Sequence, residues 1–353
     1  MNKFDRTIES IKKENLQPVY SAFKKNNPIK VSVNVEVFNH EKYLRECLDS
    51  ILNQLVSFNV VINIHDDAST DGSKEIIEEY QKKYPDIISP IIQKENIYSK
   101  TQKENPVLTI QGLRVKGQYV AMCEGDDYWT DPYKLQIQST LMDQNPSCHL
   151  CLHIVEKINN KTGKLMNLMP SYKMKSGILS SKRFIPLVLN KYSFQTSSYF
   201  FKAEDSMTFY SSLPKFADVM PTGDETMIMY YGQLGNAIFI NKKMSVYRKF
   251  AEGSWSVRHR EYSEEKNIEV SKARIKSLSL YDSYTNYKFH KSCQKRMNKV
   301  KLSLYLRTND RNSLIKDKKV IRYFRKKHFI AYIMFRYPKL YKPFKRNKNN
   351  ESA

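Results

Sequence analysis

Tyr119-Val120-Ala121-Met122-Cys123 runs straight into Glu124-Gly125-Asp126-Asp127. The first five residues read as a buried strand, and the next four set three carboxylates at its carboxyl end. Like charges that close repel, and at the mouth of a sheet they are only partly solvated. They therefore suit a hard divalent cation with oxygen ligands. Gly125 lets the backbone come close to a ligand. A plain acidic turn has the same local composition, so the segments upstream decide.

Upstream, strand and helix patterns alternate. Val31, Val33, Val35 and Val37 alternate with Ser32, Asn34 and Glu36, a period-2 strand. Glu41 to Gln54 places Tyr43, Leu44, Cys47, Leu48, Ile51 and Leu52 at helical spacing, with Asn39 as the expected cap. Val60 to His65 forms a second strand that runs into Asp66-Asp67, and a helix is expected from Ser73 to Tyr84, ended by Pro85. Ile87 to Ile92 reads as a third strand, 103–116 as a helix despite Pro106, and Tyr119 to Cys123 as the fourth strand. Such alternation implies right-handed βαβ units and a mostly parallel sheet. Ligands of such sheets bind beyond the carboxyl ends of the strands. Three of these ends are polar here: Glu36 to Asn39, Asp66-Asp67, and Glu124 to Asp127. Neither a G-x-G-x-x-G after the first strand nor a P-loop occurs, which disfavours dinucleotide oxidoreductases and P-loop NTPases.

The 353 residues allow one large domain or two, and 41% apolar content is ordinary for a globular chain. Five scattered cysteines fit a reducing compartment better than a disulfide framework. With a polar first 28 residues and no apolar run long enough to span a bilayer, a cytoplasmic protein is expected. The net charge of +23 is unevenly placed. Residues 286–348 hold 21 Lys and Arg against Asp310 and Asp317, leaving about +5 for residues 1–285.

After residue 150 short apolar runs mix with Gly, Ser and Pro, as strands and loops that cover a cleft would. Gly223-Asp224-Glu225 leads into a helical stretch from Thr226 to Leu234, stopped by Gly235. A strand at Ala237 to Ile240 follows, then Ser245 to Arg248, and charged helices from about Glu261 on.

In four ordered stretches, Val31–Gln54, Asn63–Gly72, Lys116–Pro146 and Gly223–Ser256, the chain resembles family 2 inverting glycosyltransferases. The run Glu124-Gly125-Asp126-Asp127-Tyr128-Trp129-Thr130-Asp131-Pro132, with Lys134-Leu135, is the most specific match. The resemblance implies an α/β GT-A nucleotide-diphospho-sugar transferase fold, a Rossmann-like, mostly parallel sheet flanked by helices, with a helical basic C-terminal extension. The resemblance places the transferase domain over about 29–260, and composition and charge set off a polar extension over 1–28 and a helical, strongly basic extension over 261–353. The expected activity is a hexosyltransferase moving a sugar from a nucleotide-sugar donor, UDP-linked, to a hydroxyl acceptor, glycan or lipid-linked, in bacterial capsule or O-antigen (polysaccharide) biosynthesis.

The resemblance also assigns roles. Val37, Phe38 and Asn39 match the turn that cradles the base, and Asp66 and Asp67 the acidic pair on uracil and ribose, where carboxylates accept hydrogen bonds. A helix-capping turn is the structural alternative for that pair. Asp126 matches the metal aspartate of D-x-D, with Glu124 and Asp127 as neighbours, for Mn²⁺ or Mg²⁺. Asp224 matches the catalytic base, with Glu225 the alternate, since inversion needs a carboxylate to take the hydroxyl proton. An N-cap role is the alternative there. Tyr247-Arg248 and Trp255 resemble the segment where a loop closes over the donor diphosphate: Arg248 is read as pairing with phosphate or in a surface ion pair, and Trp255 as stacking on an acceptor sugar or simply packing. Two departures stand out: Glu36-Val37-Phe38-Asn39 where many relatives have Pro-Thr-Tyr-Asn, and Glu124 for the first Asp of D-x-D. Within the same fold, a catalytically idle scaffold or a nucleotidyltransferase are the rival readings.

Cys148-His149-Leu150-Cys151 is a lone C-x-x-C where a strand is expected, not a zinc site. Residues 318–346 interleave Lys and Arg with aromatic residues, a pattern that docks on anionic membrane surfaces. A peripheral position at the inner membrane face is therefore expected, with an ordinary solvated helical face as the alternative. With no accompanying nucleic-acid motif, nucleic acid is not an expected partner.

Overall fold

In chain order the helix α1 (Lys3–Ile11) precedes β1 (Ile29–Val37), α2 (Glu41–Leu52), β2 (Asn59–Asp66) and α3 (Ser73–Lys83). β3 (Ile88–Ile92), α4 (Pro106–Leu113), β4 (Tyr119–Glu124) and α5 (Lys134–Asp143) follow. Next come β5 (Cys148–Asn159), β6 (Gly177–Leu179), α6 (Ser181–Asn190), β7 (Phe200–Lys202) and α7 (Ala203–Ser211). α8 (Gly223–Leu234), β8 (Asn236–Lys249), α9 (Glu264–Tyr284), α10 (His290–Arg307) and α11 (Lys318–Lys327) complete the set. The structure is a computed structural model and describes residues 3–100, 106–171, 174–190, 193–252, 254, 257, 262–327, 332, 333 and 335.

The strands form one sheet in the order β6-β8-β5-β7-β4-β1-β2-β3. β4, β1, β2 and β3 are parallel, as the alternation predicts. β7 then runs antiparallel to both β4 and β5, while β5 and β8 are parallel to each other. Register puts Glu36 opposite Glu124 on one side and opposite His65 on the other. The carboxyl ends of β1, β2 and β4 thus finish level.

β1 is buried on both faces although its sequence alternates. Val31, Val33 and Val35 have no exposed surface, and Ser32 and Asn34 are equally hidden. Ser32 Oγ donates to the Lys116 carbonyl at 2.7 Å and accepts its N–H at 2.8 Å. Gln111 of α4 donates through Nε2 to the carbonyls of Val35 at 3.1 Å and Asn63 at 2.9 Å. Buried polar groups persist only when hydrogen-bonded, and here α4 and the loop that follows it supply the partners.

The expected cap of α2 is corrected. Asn39 lies at φ 58, and its Oδ1 accepts the N–H of Thr70 at 2.8 Å, so it ties two loops together. The helix begins after His40, and the Glu41 N–H is satisfied by Asp71 Oδ2 at 2.9 Å.

Two apolar layers cover the sheet. Valines of β1 pack with Leu44, Leu48 and Ile51 of α2 and with Ile8 and Ile11 of α1. On the other side Val120, Met122, Leu150 and Phe201 pack with Met227 and Tyr231 of α8, Leu278 and Tyr281 of α9, and Cys293 of α10. Each fully buried Ile or Leu contributes about 1.5–3 kcal/mol. Segments from both ends of the chain are therefore part of the packed body. Among the described residues no helix is long and apolar enough to cross a membrane.

Candidate active site

A cleft of about 640 Å³ opens beyond the strand ends, where Glu36, Asp67, Glu124, Asp126 and Asp224 all reach its lining. The turn after β4 carries the acids, and its glycine is required by space. A Cβ on Gly125 would stand 2.8 Å from His40 Nδ1 and 3.1 Å from the Glu36 carbonyl. The backbone itself crosses there, its Gly125 N–H donating to the Glu36 carbonyl at 2.8 Å.

Glu124, Asp126 and Asp127 each offer an oxygen, and these atoms lie within 4.8 Å of one another. Burial, followed by the charges of Asp126 and Glu36, holds the Glu124 carboxyl well above its usual range. Burial raises Glu36 to about 7, with Asp67 and Asp224 adding to the effect, and Glu36 Oε1 has no hydrogen-bond partner. A set of carboxylates under mutual repulsion, one with an orphaned buried oxygen, fits a divalent cation with oxygen ligands. The three acids are not equivalent. Asp127 is fully buried and accepts the Arg248 main-chain N–H at 3.0 Å and Gln195 Nε2 at 3.0 Å. Asp126 keeps its carboxylate toward the cleft, 4.0 Å from His40 Nε2.

Asp224 and Glu225 sit in the first turn of α8. Asp224 opens to solvent through the cleft yet is walled in by protein, and that enclosure, then the charge of Glu225, raises its pKa. Its Oδ1 also accepts the N–H of Glu225 at 2.8 Å. Glu225 is held differently: Arg274 donates to its Oε2 from Nε at 3.1 Å, and Arg296 approaches Oε1 at 3.6 Å. One carboxylate faces the cleft and the other is clamped.

The residues expected around the nucleotide part company. Val37 and Phe38 line the cleft. Asn39 is outside its lining, in the role given above. Asp66 is spent internally, accepting the N–H of Ser69 at 3.1 Å and its hydroxyl. Asp67 borders the cleft while its carboxylate caps a short helix, accepting the N–H groups of Ile97 at 2.8 Å and Tyr98 at 3.0 Å. Arg248 is not a cleft-lining residue. Tyr247 and Lys249 are, because side chains alternate along β8. The Arg248 guanidinium donates to the Asp126 carbonyl at 2.7 Å and pairs with Glu46, stacked 4.3 Å over Tyr128. Trp255 lies outside the described residues.

Sequence reading missed Gln195, Arg274 and Arg296. Gln195 is 7% exposed and bridges Glu124 and Asp127 through one Nε2, at 3.3 and 3.0 Å. It stands 68 residues from Asp127, and no pattern around it distinguishes it from any other loop glutamine.

Residues 32–203 match the family model described as glycosyl transferase family 2. Over 220 residues the chain is 34% identical to an uncharacterized protein of Mycobacterium tuberculosis, covering 62% of this chain and 58% of that protein. The chain thus spans less than two thirds of that relative's length. It is also 34% identical over 108 residues to an uncharacterized glycosyltransferase of Nostoc sp., covering 31% of each. Among solved structures, S. aureus TarS 1–349 in complex with UDP-GlcNAc is similar with a TM-score of 0.59, over 87% of this chain and 81% of that one. At 16% identity that likeness shows a shared fold.

Proposed function

We propose that this chain, which belongs to glycosyl transferase family 2 and has the GT-A fold, moves a sugar from a UDP-linked donor to an acceptor hydroxyl with inversion. One observation carries the reading: Asp224 and the Glu124–Asp126 pair line a single cleft. The transferase domain is residues 29–260, and α9 and α10 complete the cleft wall beside Asp224.

In the reaction the acceptor oxygen bonds to C1 of the sugar while the bond from C1 to the donor phosphate oxygen breaks. The electron pair leaves with the nucleoside diphosphate, and the hydroxyl proton passes to Asp224. Asp224 suits this better than Glu225, whose charge is already committed to two guanidiniums. Asp126 and Glu124 would hold a divalent cation, Mn²⁺ or Mg²⁺, which when bound neutralises charge on the diphosphate. Asp127 and Gln195 position those ligands, and Arg248 acts from behind by holding the Asp126 main chain. Val37, Phe38 and Asp67 border the space for base and ribose. Bacterial surface-glycan assembly is the proposed setting, supported by family resemblance.

The test is a panel of nucleotide sugars assayed for metal-dependent release of nucleoside diphosphate. A scaffold releases nothing, and a nucleotidyltransferase releases pyrophosphate. Either result sinks the reading.

Docking on an anionic membrane face is a second proposal, favoured by α11. Val320 and Phe324 pack inward while Lys318, Lys319, Arg322, Arg325 and Lys326 stay exposed. The rest of the 318–346 pattern lies largely outside the described residues. Since the buried face is spent on packing, such docking would act through charge and weaken with salt. Flotation with anionic liposomes, with and without residues 318–353, checks it, and equal binding by both ends the idea.

A further inference from the structure

Among the described residues that line the cleft, His40 is the one histidine, and it stands beside the acid turn. The backbone fixes its place. It directly precedes α2, its N–H donates to Ser73 Oγ at 2.9 Å, and Asn39 ahead of it ties two loops together. Its ring packs against Gly125, where a Cβ would stand 2.8 Å from Nδ1. Only 7% of His40 is exposed, and Nδ1 is buried without a hydrogen-bond partner. Nε2 is aimed at Asp126 Oδ1, 4.0 Å away. That gap is about 1 Å too long for a hydrogen bond. Ligand atoms held by one ion at about 2.1 Å each stand up to about 4.2 Å apart, so one cation can touch both. Packing alone does not account for a nearly buried imidazole with Nδ1 unpaired and Nε2 short of a bond.

We propose that His40, through Nε2, is a ligand of the divalent cation held by Asp126, and that it turns the site against Mg²⁺. The proposal rests on the reading of Asp126 as a metal ligand. Of the three clustered acids, Asp127 is already committed to Gln195 and the Arg248 main chain. Asp126 and Glu124 therefore leave room in the coordination shell for a further protein ligand. Neutral imidazole is the commonest side-chain ligand for metals. Mg²⁺ is hard and keeps to oxygen, whereas affinity for nitrogen rises along the divalent series from Mn²⁺ to Co²⁺. A histidine beside Asp126 thus costs Mg²⁺ a ligand it can use and gives the later metals one they prefer.

The test loads the whole chain with Mn²⁺, with and without UDP, and reads it by pulsed electron paramagnetic resonance. That method detects the nitrogen coupling of a directly bonded imidazole. Wild type should show the coupling, and His40→Gln should lose it while still binding Mn²⁺. Titration calorimetry on His40→Gln should show affinity falling on the order of tenfold or more for Co²⁺, less for Mn²⁺ and least for Mg²⁺. Mn²⁺ bound to wild type without nitrogen coupling overturns the proposal, whether or not the variant folds. Coupling that survives in His40→Gln or Asp126→Asn overturns it too, by placing the bound ion elsewhere. Equal loss of all three metals in a stably folded His40→Gln also overturns it and leaves His40 a packing group. If wild type binds no Mn²⁺ in either condition, this proposal and the metal role of Asp126 fall together. Nitrogen coupling without turnover of any donor sinks the transfer reading alone.

Discussion

Arg248 and Asp126, 122 residues apart, are joined by a hydrogen bond of 2.7 Å from the guanidinium to the main-chain carbonyl. The last strand of the sheet thereby holds the acid turn from behind. Tyr128, next in the turn, lies under the same guanidinium at 4.3 Å, and Tyr43 of α2 lies 5.3 Å away. An ammonium cannot match a planar fork that both stacks and donates twice. Arg248→Lys should therefore lower stability by about 1–3 kcal/mol. It should also cut donor turnover at least tenfold, although the side chain never enters the cleft. Urea unfolding and initial rates test it, and full activity with lowered stability would confine Arg248 to the scaffold.

Gly125→Ala tests the crossing of the acid turn over β1. The new methyl would stand 2.8 Å from His40 Nδ1 and 3.1 Å from the Glu36 carbonyl, and the latter is backbone that cannot step aside. The turn must move and take Asp126 with it. Displacing positioned groups by about 1 Å costs on the order of 100-fold in rate. Overpacking costs about 1–3 kcal/mol in stability. A variant with wild-type kcat would show that the turn has slack.

Asp224 and Glu225 separate by substitution. Asp224→Asn removes the only proton acceptor of the pair that faces the cleft unclamped, and kcat should fall about 10²–10⁴-fold with nucleotide affinity kept. Glu225→Gln should act mainly through Arg274 and Arg296, raising the KM of the acceptor more than it lowers kcat. The reverse ranking would move the base to Glu225.

Lys134 gives a test of stability against pH. It is fully buried, donates to Gln138 Oε1 at 2.8 Å and sits 3.9 Å over the Trp129 ring. Burial lowers its pKa to about 7 from 10.5. Below pH 7 both folded and unfolded chains carry the proton, so the penalty is constant. Between about 7 and 10 the unfolded chain holds a proton that the folded one lacks, so this residue makes stability rise with pH. The slope is at most about 1.4 kcal/mol per pH unit. Lys134→Met should lose that slope, so the difference in stability between the two proteins, read by urea unfolding from pH 6 to 10, should change with pH between about 7 and 10. A flat difference curve would mean that the lysine is protonated in the fold.

Much of the parallel half was legible because its information is local. Valine alternation places β1, the helical spacing of Leu44, Leu48 and Ile51 places α2, and apolar runs place β2 and β4. The Glu124–Asp127 acids were visible as a cluster for the same reason. Asn39 was misread as a cap because its partner, the Thr70 N–H, lies 31 residues away. The hidden polar face of β1 depends on Gln111, 77 residues from Asn34.

Sequence alone, then, determined the order of strands and helices in the parallel half and which strand ends there would be acidic, since period-2 and period-3.6 burial and short-range repulsion act over a few neighbours. Tertiary structure alone decided how those acids differ. Asp127 is saturated by Gln195 and the Arg248 main chain, Glu225 is clamped by two arginines, and Asp126 and Asp224 are left facing one space. Hydrogen bonds and ion pairs act only at contact distance, and which distant residues come into contact is settled by how α9, α10 and β8 pack on the sheet.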